Sequence, residues 1–283
     1  MSALISWFDA HERDLPWRRS DPWGVLVSEF MLQQTPVDRV IPVWHAWRER
    51  WPTPGALAES GVADALRAWG RLGYPRRAVR LHASAVAITR DFNGQVPADE
   101  AALRSLPGVG EYTAAAVQAF AFSRRSIVLD TNVRRVLART LDGRGQQSAH
   151  ITNAERVQAD DLWPRQHARS ARWSAAVMEF GAVVCTARAP SCDHCPISGD
   201  CAWTADGQPP MPEPARRQAA YQGSDREARG RLMQVLREAD GPVTARALAH
   251  AWPGAEQRAR ALDALVADGL AQRRAGGRFA LPS

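Results

Sequence analysis

The sequence predicts an all-α protein with two helical subdomains and a small C-terminal module of winged-helix type. Three observations predict this class. Apolar residues recur at three- and four-residue spacing through nearly all of the first two hundred residues, which is the period of amphipathic helices. Strand patterns are nearly absent from the same region. The proline-rich segment DGQPPMPEP, Asp206 to Pro214, cannot continue a helix and separates off the last part of the chain.

Successive helices are separated by turn signals such as WPTPG, FNGQVP and LPGVG. We expect residues 1–21 and 126–205 to form one subdomain, residues 22–125 the other, and residues 206–228 a linker. Residues 229–283 predict three helices, with Thr244 as an N-cap, and a hairpin at QRRAGGRFAL. The helical segments before the linker are SWFDAHER, GVLVSEFMLQQT, RVIPVWHAWRERW, GVADALRAWGRL, YPRRAVRLHASAVAITRDF, EAALRSL, EYTAAAVQAFAF and NVRRVLARTL.

Charge favours an anionic partner. The chain carries 36 basic and 30 acidic residues, a formal net charge of +6, and every basic residue is an arginine. Such a charge attracts polyanions, and nucleic acid is the first candidate. The 45% hydrophobic content is enough for ordinary cores and argues against disorder. No apolar run approaches the length of a membrane span, so we expect a soluble protein in the cytoplasm. We also expect a monomer that associates with the nucleoid.

The stretch LPGVGEYTAAA, Leu106 to Ala116, places a Gly-Val-Gly turn directly before a helix. Gly108 and Gly110 allow backbone N–H groups of the turn to point at a phosphate, together with the helix N-terminus. This arrangement predicts a helix-hairpin-helix contact with a DNA backbone. It also fits an ordinary connection between two helices, and the turn alone does not decide between the two.

All four cysteines lie in one short segment: Cys185, Cys192, Cys195 and Cys201. Structural disulfides are rare in cytosolic chains, so we interpret the four thiols as ligands of one metal site. Thiolates this close hold either a 4Fe-4S cluster or a zinc ion, and their spacing does not choose between the two.

Five motifs together resemble one family. VSEFMLQQTPVDRVIP, RLGYPRRAVRLH, LPGVGEYTAAA, IVLDTNVRRVLAR and the cysteine segment occur in the order and approximate spacing of the MutY-type adenine DNA glycosylases, within the helix-hairpin-helix base-excision superfamily. The resemblance extends from Leu15 to Cys201. It implies the helix-hairpin-helix glycosylase fold, a 4Fe-4S cluster, and double-stranded DNA with adenine opposite 8-oxoguanine or guanine as substrate.

The resemblance assigns two carboxyl groups to catalysis. Breaking a glycosidic bond through an oxocarbenium-like state suits one carboxyl that donates a proton and one that stays ionised. By resemblance, Glu29 protonates adenine at N7 and Asp130 acts at the sugar. Taken alone, an acidic residue in an amphipathic helix usually lies on a solvated face, and an aspartate before a helix is often an N-cap. Asp130 fits both roles.

Tyr112 occupies the position at which related bifunctional glycosylases have a lysine that attacks the sugar and forms a Schiff base. A phenol cannot form a Schiff base, and the chain contains no lysine. We therefore expect a monofunctional enzyme that leaves the abasic site uncut. By resemblance Tyr112 lies beside Asp130 and helps position it; the alternative is a tyrosine packed at the start of a helix.

Further matched positions resemble DNA contacts. Leu15, Trp17 and Arg18 resemble the wall of the adenine pocket, although Leu15 and Trp17 fit a core role equally well. The remaining matches are Gln34, Thr35, Leu72 and Tyr74, which resemble residues beside the oxidised guanine, and Asn132, which resembles a polar group near Asp130.

The C-terminal module departs from the family. Long members carry a β-rich, nudix-like domain that helps read 8-oxoguanine, and the module is too short and too helical for it. We expect it to add phosphate contacts through Arg273, Arg274 and Arg278. Two alternatives remain for the whole chain: a thymine or uracil glycosylase acting opposite guanine, and a non-catalytic protein that binds damaged DNA. Glu29 favours adenine, and the presence of both carboxylates argues against the non-catalytic alternative.

Overall fold

A computed structural model describes residues 2–210 and 220–283. The regular structure is almost entirely helical, which confirms the predicted fold class, and the described strands form one short hairpin. No helix in these ranges is long and apolar enough to cross a membrane. The α-helices are α1 Ser2–His11, α2 Pro22–Leu32, α3 Val37–Arg50, α4 Pro54–Ala58, α5 Val62–Trp69, α6 Arg76–Asp91, α7 Glu100–Ser105, α8 Glu111–Phe122, α9 Thr131–Thr140, α10 Asn153–Leu162, α11 His167–Val183, α12 Ala202–Ala205, α13 Asp225–Glu238, α14 Ala245–Ala251 and α15 Ala255–Ala267.

Side-chain caps fix several helix starts. Thr152 and Glu155 form a capping box at α10, in which each side chain bonds the backbone N–H of the other residue. Thr244 accepts a hydrogen bond of 3.3 Å from the Ala247 N–H, which confirms the predicted N-cap of α14. Caps of this kind stabilise a helix by about 1 kcal/mol, because they satisfy N–H groups that the helix itself leaves unpaired.

The chain divides into two compact units. The described parts of unit 1 are residues 2–25, 98–104 and 109–210, and those of unit 2 are residues 26–97, 105–108 and 220–283. In unit 1, α9 and α11 pack against each other and α1 covers α11. Val133, Val177 and Phe180 lie at the centre of this core, with Trp163 and Trp173 in edge contact beside them.

Unit 2 packs α6 against α4 and α5. Its tryptophans form an edge-to-face group: Trp47 lies 4.6 Å from Trp51 and 5.7 Å from Trp69, measured between ring centroids. Aromatic pairs prefer this geometry because the positive ring edge faces the negative ring face. Trp69 ends α5, and its Nε1 donates a hydrogen bond of 2.9 Å to the Gly73 carbonyl, so the aromatic core contacts the turn that carries Tyr74.

The C-terminal module belongs to unit 2. It consists of α13, α14 and α15 and the hairpin of β1 Gln272–Arg274 and β2 Arg278–Ala280, which pair antiparallel with Arg273 opposite Phe279. Gly276 and Gly277 both have positive φ angles, which the connection between the two strands requires. These are the three helices and the hairpin that the sequence predicts.

Several boundaries differ from the expected ones. Helix α13 begins at Asp225, within the predicted linker, because Ser224 caps it by accepting a hydrogen bond from the Glu227 N–H. Residues 211–219 of that linker lie outside the described residues. Residues 22–25, 98–104 and 109–125, which include most of α7 and all of α8, belong to unit 1, whereas we expected them in the other subdomain. The alanine face of α8 packs there against Val128 and Ala171.

Candidate active site and metal centre

Asp130 is the N-cap of α9. One carboxylate oxygen accepts a hydrogen bond of 2.6 Å from the Val133 N–H, and the other accepts one of 2.8 Å from Asn132 Nδ2. The structure thus confirms that Asp130 caps the helix, and it brings the predicted pair Asp130 and Asn132 into direct contact. Burial raises the pKa of the Asp130 carboxyl above its usual range, although both hydrogen bonds and the charge of Arg135 oppose that rise.

A buried arginine holds this pair in place. Arg135 Nη2 donates to Asn132 Oδ1 at 2.9 Å and to the Gly181 carbonyl at 2.6 Å, and its Nε donates to the Cys185 carbonyl at 2.8 Å. Gly181 leaves room for this approach, because a Cβ at that position would lie 2.8 Å from the Asn132 carbonyl oxygen. The Asp130 carboxylate is therefore oriented through Asn132 and Arg135 by α11 and the cysteine loop.

The glycine turn approaches two helices of unit 2 closely. Gly108 has a φ of +85°, and a Cβ there would lie 2.8 Å from Arg80 Cβ and 3.0 Å from Phe30 Cε1. Ser84 Oγ donates a hydrogen bond of 2.6 Å to the Pro107 carbonyl. Gly110 is exposed, lies in open space and is the residue that precedes the first turn of α8. Its N-terminal position on α8 is compatible with a phosphate contact.

Tyr112 is the second residue of α8 and is half-buried in unit 1. Its ring packs against the cluster formed by Ala115, Ala116, Ala119, Val128 and Ala171. Packing at the start of the helix is thus part of its role, as the alternative interpretation predicts.

Glu29 lies in α2 and is only 5% exposed. The interpretation that it lies on a solvated helix face is therefore wrong. A carboxyl group at such a position is removed from bulk water, which is the environment that catalytic proton donors use.

Gln34 and Tyr74 lie in two turns of unit 2, and both have left-handed backbone conformations, with φ of 57° and 47°. Such angles are uncommon for residues other than glycine, and they cluster at functional sites. Thr35 is buried and donates a hydrogen bond of 3.2 Å to the carbonyl of Leu72, so the two turns are joined directly.

Arg77 joins the same turns from α6. Its Nη1 donates to the carbonyls of Phe30, Met31 and Gln33 at 2.9, 2.9 and 2.5 Å. Its Nη2 donates to Thr35 Oγ1 at 2.9 Å and to the Gly73 carbonyl at 3.1 Å. Burial lowers the pKa of Arg77 to about 10, so the group remains charged at neutral pH. Of the predicted residues, Thr35 and Tyr74 contact this side chain directly, and Gln34 and Leu72 are the chain neighbours of its partners Gln33 and Gly73.

Arg18 is engaged within unit 1. Its Nη2 donates to Glu179 Oε2 at 3.0 Å and its Nη1 donates to the Arg13 carbonyl at 2.6 Å. Although burial acts to raise it, the pKa of Glu179 is lowered by the hydrogen bond from Arg13 and by the charge of Arg18. Leu15 and Trp17 are buried beside it in the chain. These contacts give Arg18 a structural role, and a contact with a flipped base stays a prediction.

The four cysteines line one small cavity of unit 1 together with Arg139 and Trp203. Arg139 is 1% exposed and donates to Cys185 Sγ at 3.3 Å and to the carbonyls of Thr186 and Gly145 at 2.8 and 2.9 Å. Burial and the neighbouring thiols raise the pKa of Cys192 and Cys195. A bound cationic centre would oppose this effect, because it stabilises the thiolates that bind it.

The four thiols fit an iron-sulfur cluster. Each iron of a 4Fe-4S cluster binds one thiolate, so the cluster requires four separate thiols around one cavity. Cys185, Cys192, Cys195 and Cys201 line such a cavity together.

Sequence reasoning missed the buried arginines Arg77, Arg135 and Arg139. A signal was available for two of them, since the four-residue spacing of Arg135 and Arg139 places them on one face of α9 among apolar residues. For Arg77 and for Gly181 the sequence offers no local signal, because their partners are far away in the chain.

Comparison with known proteins places the chain in a family. Residues 27–159 match the HhH-GPD superfamily of base excision DNA repair proteins, and residues 185–201 match the iron-sulfur binding domain of endonuclease III. An adenine DNA glycosylase of Mycobacterium tuberculosis is 53% identical, with coverage of 99% of this chain and 92% of that protein. An adenine DNA glycosylase of Mycolicibacterium smegmatis is 50% identical, with coverage of 98% and 94%.

A solved structure has the same fold. A thermostable thymine-DNA glycosylase superposes with a TM-score of 0.65 at 26% identity, covering 72% of this chain and 94% of the other. The iron-sulfur match covers the segment whose four thiols line one cavity, so the cofactor is a 4Fe-4S cluster. The helical fold, the capped Asp130, the cysteine loop and these similarities together show that the chain belongs to the HhH-GPD superfamily of base excision DNA repair proteins and, within it, to the adenine DNA glycosylase family.

Proposed function

We propose that the protein is a monofunctional glycosylase that hydrolyses the N-glycosidic bond of adenine opposite 8-oxoguanine or guanine in double-stranded DNA. The observation that carries this proposal is the Asp130 carboxylate, which is half-buried, hydrogen-bonded on both oxygens and located at the N-terminus of α9. The identity of 53% to an adenine DNA glycosylase supports adenine as the base.

Asp130 acts on the sugar. As the glycosidic bond lengthens, positive charge develops on the ring, and a carboxylate fixed beforehand stabilises it without the cost of reorganisation. Asn132 and the Val133 N–H hold the carboxylate in one orientation, and Arg135 holds Asn132. Tyr112, at the start of α8, helps to position Asp130 and the intermediate.

Glu29 acts on the base. A purine becomes a better leaving group when N7 is protonated, and a buried carboxyl is able to hold a proton until the base leaves. Leu15 and Trp17 form the wall against which the flipped adenine packs. Gln34, Thr35, Leu72 and Tyr74 contact DNA beside the opposite base, and Gly108 and Gly110 contact the phosphate backbone.

The product is an uncut abasic site. Cleavage of the strand through a Schiff base requires an amine nucleophile, and the sequence has no lysine. The 4Fe-4S cluster, held by Cys185, Cys192, Cys195 and Cys201, fixes the loop that those residues form and takes no part in hydrolysis. The protein acts as a monomer in the cytoplasm, at the nucleoid.

The test is single-turnover base release from duplexes that contain A opposite 8-oxoguanine, A opposite G, T opposite G or U opposite G. We expect release from the two adenine duplexes only. Release of thymine or uracil would instead support the alternative function, a thymine or uracil glycosylase, as in the thymine-DNA glycosylase that shares the fold.

The two carboxyl groups are tested on the adenine duplexes. Glu29→Gln and Asp130→Asn should each lower the rate by about 10²–10⁴-fold while duplex binding survives, because they remove a proton donor and a charge and not a phosphate contact. The exposed residues Glu59 and Asp161 provide matched control variants, Glu59→Gln and Asp161→Asn. Equal loss of binding and of turnover would show that the carboxyls are structural.

A further inference from the structure

Arg139 of α9 lies in the wall of the cavity that the four cysteines line, and it is only 1% exposed. Its Nη1 donates a hydrogen bond of 3.3 Å to Cys185 Sγ, and the Cys201 thiol lies 3.6 Å from its backbone carbonyl oxygen. The first and the last cysteine of the loop therefore both contact this residue. Neither the proposed hydrolysis nor the ligand set uses Arg139, so its burial beside the thiols calls for an explanation of its own.

The guanidinium of Arg139 is fixed in one orientation. Its Nε donates to the Gly145 carbonyl at 2.9 Å, its Nη1 to the Thr186 carbonyl at 2.8 Å and its Nη2 to the Ala187 carbonyl at 3.2 Å. A guanidinium is planar and its donors have fixed directions, so these carbonyls determine where Nη1 points. Nη1 therefore reaches the Cys185 sulfur without further loss of side-chain freedom.

Trp203 of α12 holds the guanidinium from its face. The ring centroid lies 4.7 Å from Arg139 Cζ, and Trp203 is 5% exposed. Its Nε1 donates a hydrogen bond of 3.1 Å to the Pro209 carbonyl, and its own carbonyl accepts one of 2.8 Å from the Gln208 N–H. A cation–π contact is stronger when the pair is removed from water. The start of the linker thus holds Trp203 in place, and Trp203 holds Arg139.

A positively charged hydrogen-bond donor beside a cluster thiolate favours the more negative state of the cofactor. Removal of one electron makes the cluster and its thiolates less negative, so it weakens their attraction to Arg139. Hydrogen bonds to the sulfurs and the charge around the cluster are among the factors that set its reduction potential. Because the guanidinium is buried, water and salt screen this attraction little.

We propose that Arg139, oriented by Trp203, raises the reduction potential of the oxidised 4Fe-4S cluster and so protects the cofactor from the loss of an electron. Arg139 contacts no substrate in this role; it supplies charge and a hydrogen bond to one ligand. The inference concerns the cofactor alone and does not depend on the proposed reaction.

The test compares two substitutions that remove the same charge: Arg139→Gln, and Arg188→Gln at an exposed position in the cysteine loop. The potential for one-electron oxidation is measured by voltammetry, without DNA, on the full chain purified with its cluster. Loss of a charged hydrogen bond should change the equilibrium between the two oxidation states by about 10-fold, which lowers the potential by about 59 mV. Arg188→Gln should keep the wild-type potential, because an exposed charge is screened.

Two substitutions test Trp203. Trp203→Leu keeps an apolar side chain without a ring face, and it should lower the potential in the same direction as Arg139→Gln by a smaller amount. Trp203→Phe retains a ring face and should stay close to the wild-type potential. Arg139→Lys keeps the charge without the planar fork and should fall between the wild-type protein and Arg139→Gln. It also serves as the second variant should Arg139→Gln lose its cluster during purification.

Chemical oxidation gives a second readout. Ferricyanide accepts one electron from the cluster and becomes ferrocyanide; electron paramagnetic resonance detects the oxidised cluster, and the visible absorbance reports its breakdown. Both signals should change faster in Arg139→Gln and Trp203→Leu than in the wild-type protein and Arg188→Gln. Iron content and thermal unfolding, determined before oxidation, check that each variant starts folded and with its cluster.

Three results would overturn the inference. The first is a wild-type potential in both Arg139→Gln and Arg139→Lys. The second is an equal shift in Arg188→Gln, because the effect would then follow from net charge. The third is a wild-type potential in Trp203→Leu, which would remove the role of Trp203. Base release enters none of these measurements, so failure of the proposed function would leave them valid.

Discussion

Gly181 lies inside α11, directly against the start of α9. Its replacement by alanine would place a Cβ 2.8 Å from the Asn132 carbonyl oxygen and 2.9 Å from Asn132 Cβ, so one of the two helices has to move. Overpacking of this kind typically costs about 1–3 kcal/mol in stability. We expect Gly181→Ala to lower both the melting temperature and the rate of base release, because Asn132 orients Asp130.

Gly199 is the matched control, since a Cβ at that position meets nothing within 4 Å. Gly199→Ala should melt and turn over like the wild-type protein. Wild-type turnover in Gly181→Ala would show that the position of Asn132 does not matter for the reaction.

The raised pKa of Asp130 predicts a pH dependence of base release. In the proposed reaction the carboxylate stabilises the sugar cation only when ionised, so the single-turnover rate should decline as pH falls through a value above the usual aspartate pKa of about 3.9. The rate is measured at saturating enzyme, with circular dichroism as a control that the protein stays folded. An acid limb at or below the usual value would contradict the prediction.

The raised pKa of Asp130 also makes the free energy of unfolding depend on pH. Because the folded-state pKa lies above the unfolded value, the cost of ionising the buried carboxyl is absent below the unfolded pKa and appears as pH rises through the folded pKa. Asn keeps the capping oxygen for the Val133 N–H without the charge. Asp130→Asn should therefore be at least as stable as the wild-type protein at neutral pH, and any advantage should shrink at acid pH in denaturant titrations.

Among the elements, α9 connects the Asp130 carboxylate with the cysteine loop in unit 1. Asp130 caps its first turn, Arg135 contacts the Cys185 carbonyl one turn later, and Arg139 contacts Cys185 Sγ in the last turn. A helix is stiff over ten residues because each backbone hydrogen bond fixes the next. The cysteine loop and the carboxylate therefore share one rigid support.

The turns that carry Gln34 and Tyr74 depend on α6 through Arg77. Its planar guanidinium serves four carbonyl groups and Thr35 Oγ1 at once, which a lysine cannot do even though it keeps the charge. We expect Arg77→Lys to weaken the preference for 8-oxoguanine over guanine opposite adenine, because the two turns lose their common anchor. The preference is measured as the ratio of single-turnover rates on the two duplexes.

Arg90→Lys, on the same helix, is the matched control, because Arg90 is exposed and pairs only with the adjacent Asp91 among the described contacts. It should leave the ratio unchanged. If Arg77→Lys lowers both rates in proportion without changing their ratio, Arg77 stabilises the fold and does not position the turns.

At the scale of the whole molecule, the absence of lysine determines whether borohydride can trap a covalent complex between the enzyme and DNA. Borohydride reduces a Schiff base to a stable bond between enzyme and DNA, and we expect no such product with the wild-type protein, because the side chains include no primary amine. Tyr112→Lys introduces one at the candidate position and should gain some trapped complex, detected by denaturing electrophoresis. Abundant trapping with the wild-type protein would contradict monofunctional hydrolysis.

The local features of the protein were determined by the sequence alone. Helical periodicity, the Thr244 cap, the Asp130 cap, the glycine hairpin of the C-terminal module and the cysteine loop all depend on residues close together in the chain. A side-chain cap can be predicted from the sequence, because the donor and the acceptor are three residues apart and the helix fixes their geometry. The matched motifs predicted the candidate site residues for the same reason, because each motif is a short segment of consecutive residues.

Only the tertiary structure decided which charged side chains are buried. Glu29, Arg77, Arg135 and Arg139 have the residue types of a solvated surface, and their burial depends on partners such as Gly181 and Cys185 that lie about fifty residues away in the chain. A groove lined by α6 and α13 likewise joins segments about 150 residues apart. Burial of a charge is stable only where distant carbonyls and carboxylates converge on it, and that convergence is a property of packing that no local pattern encodes.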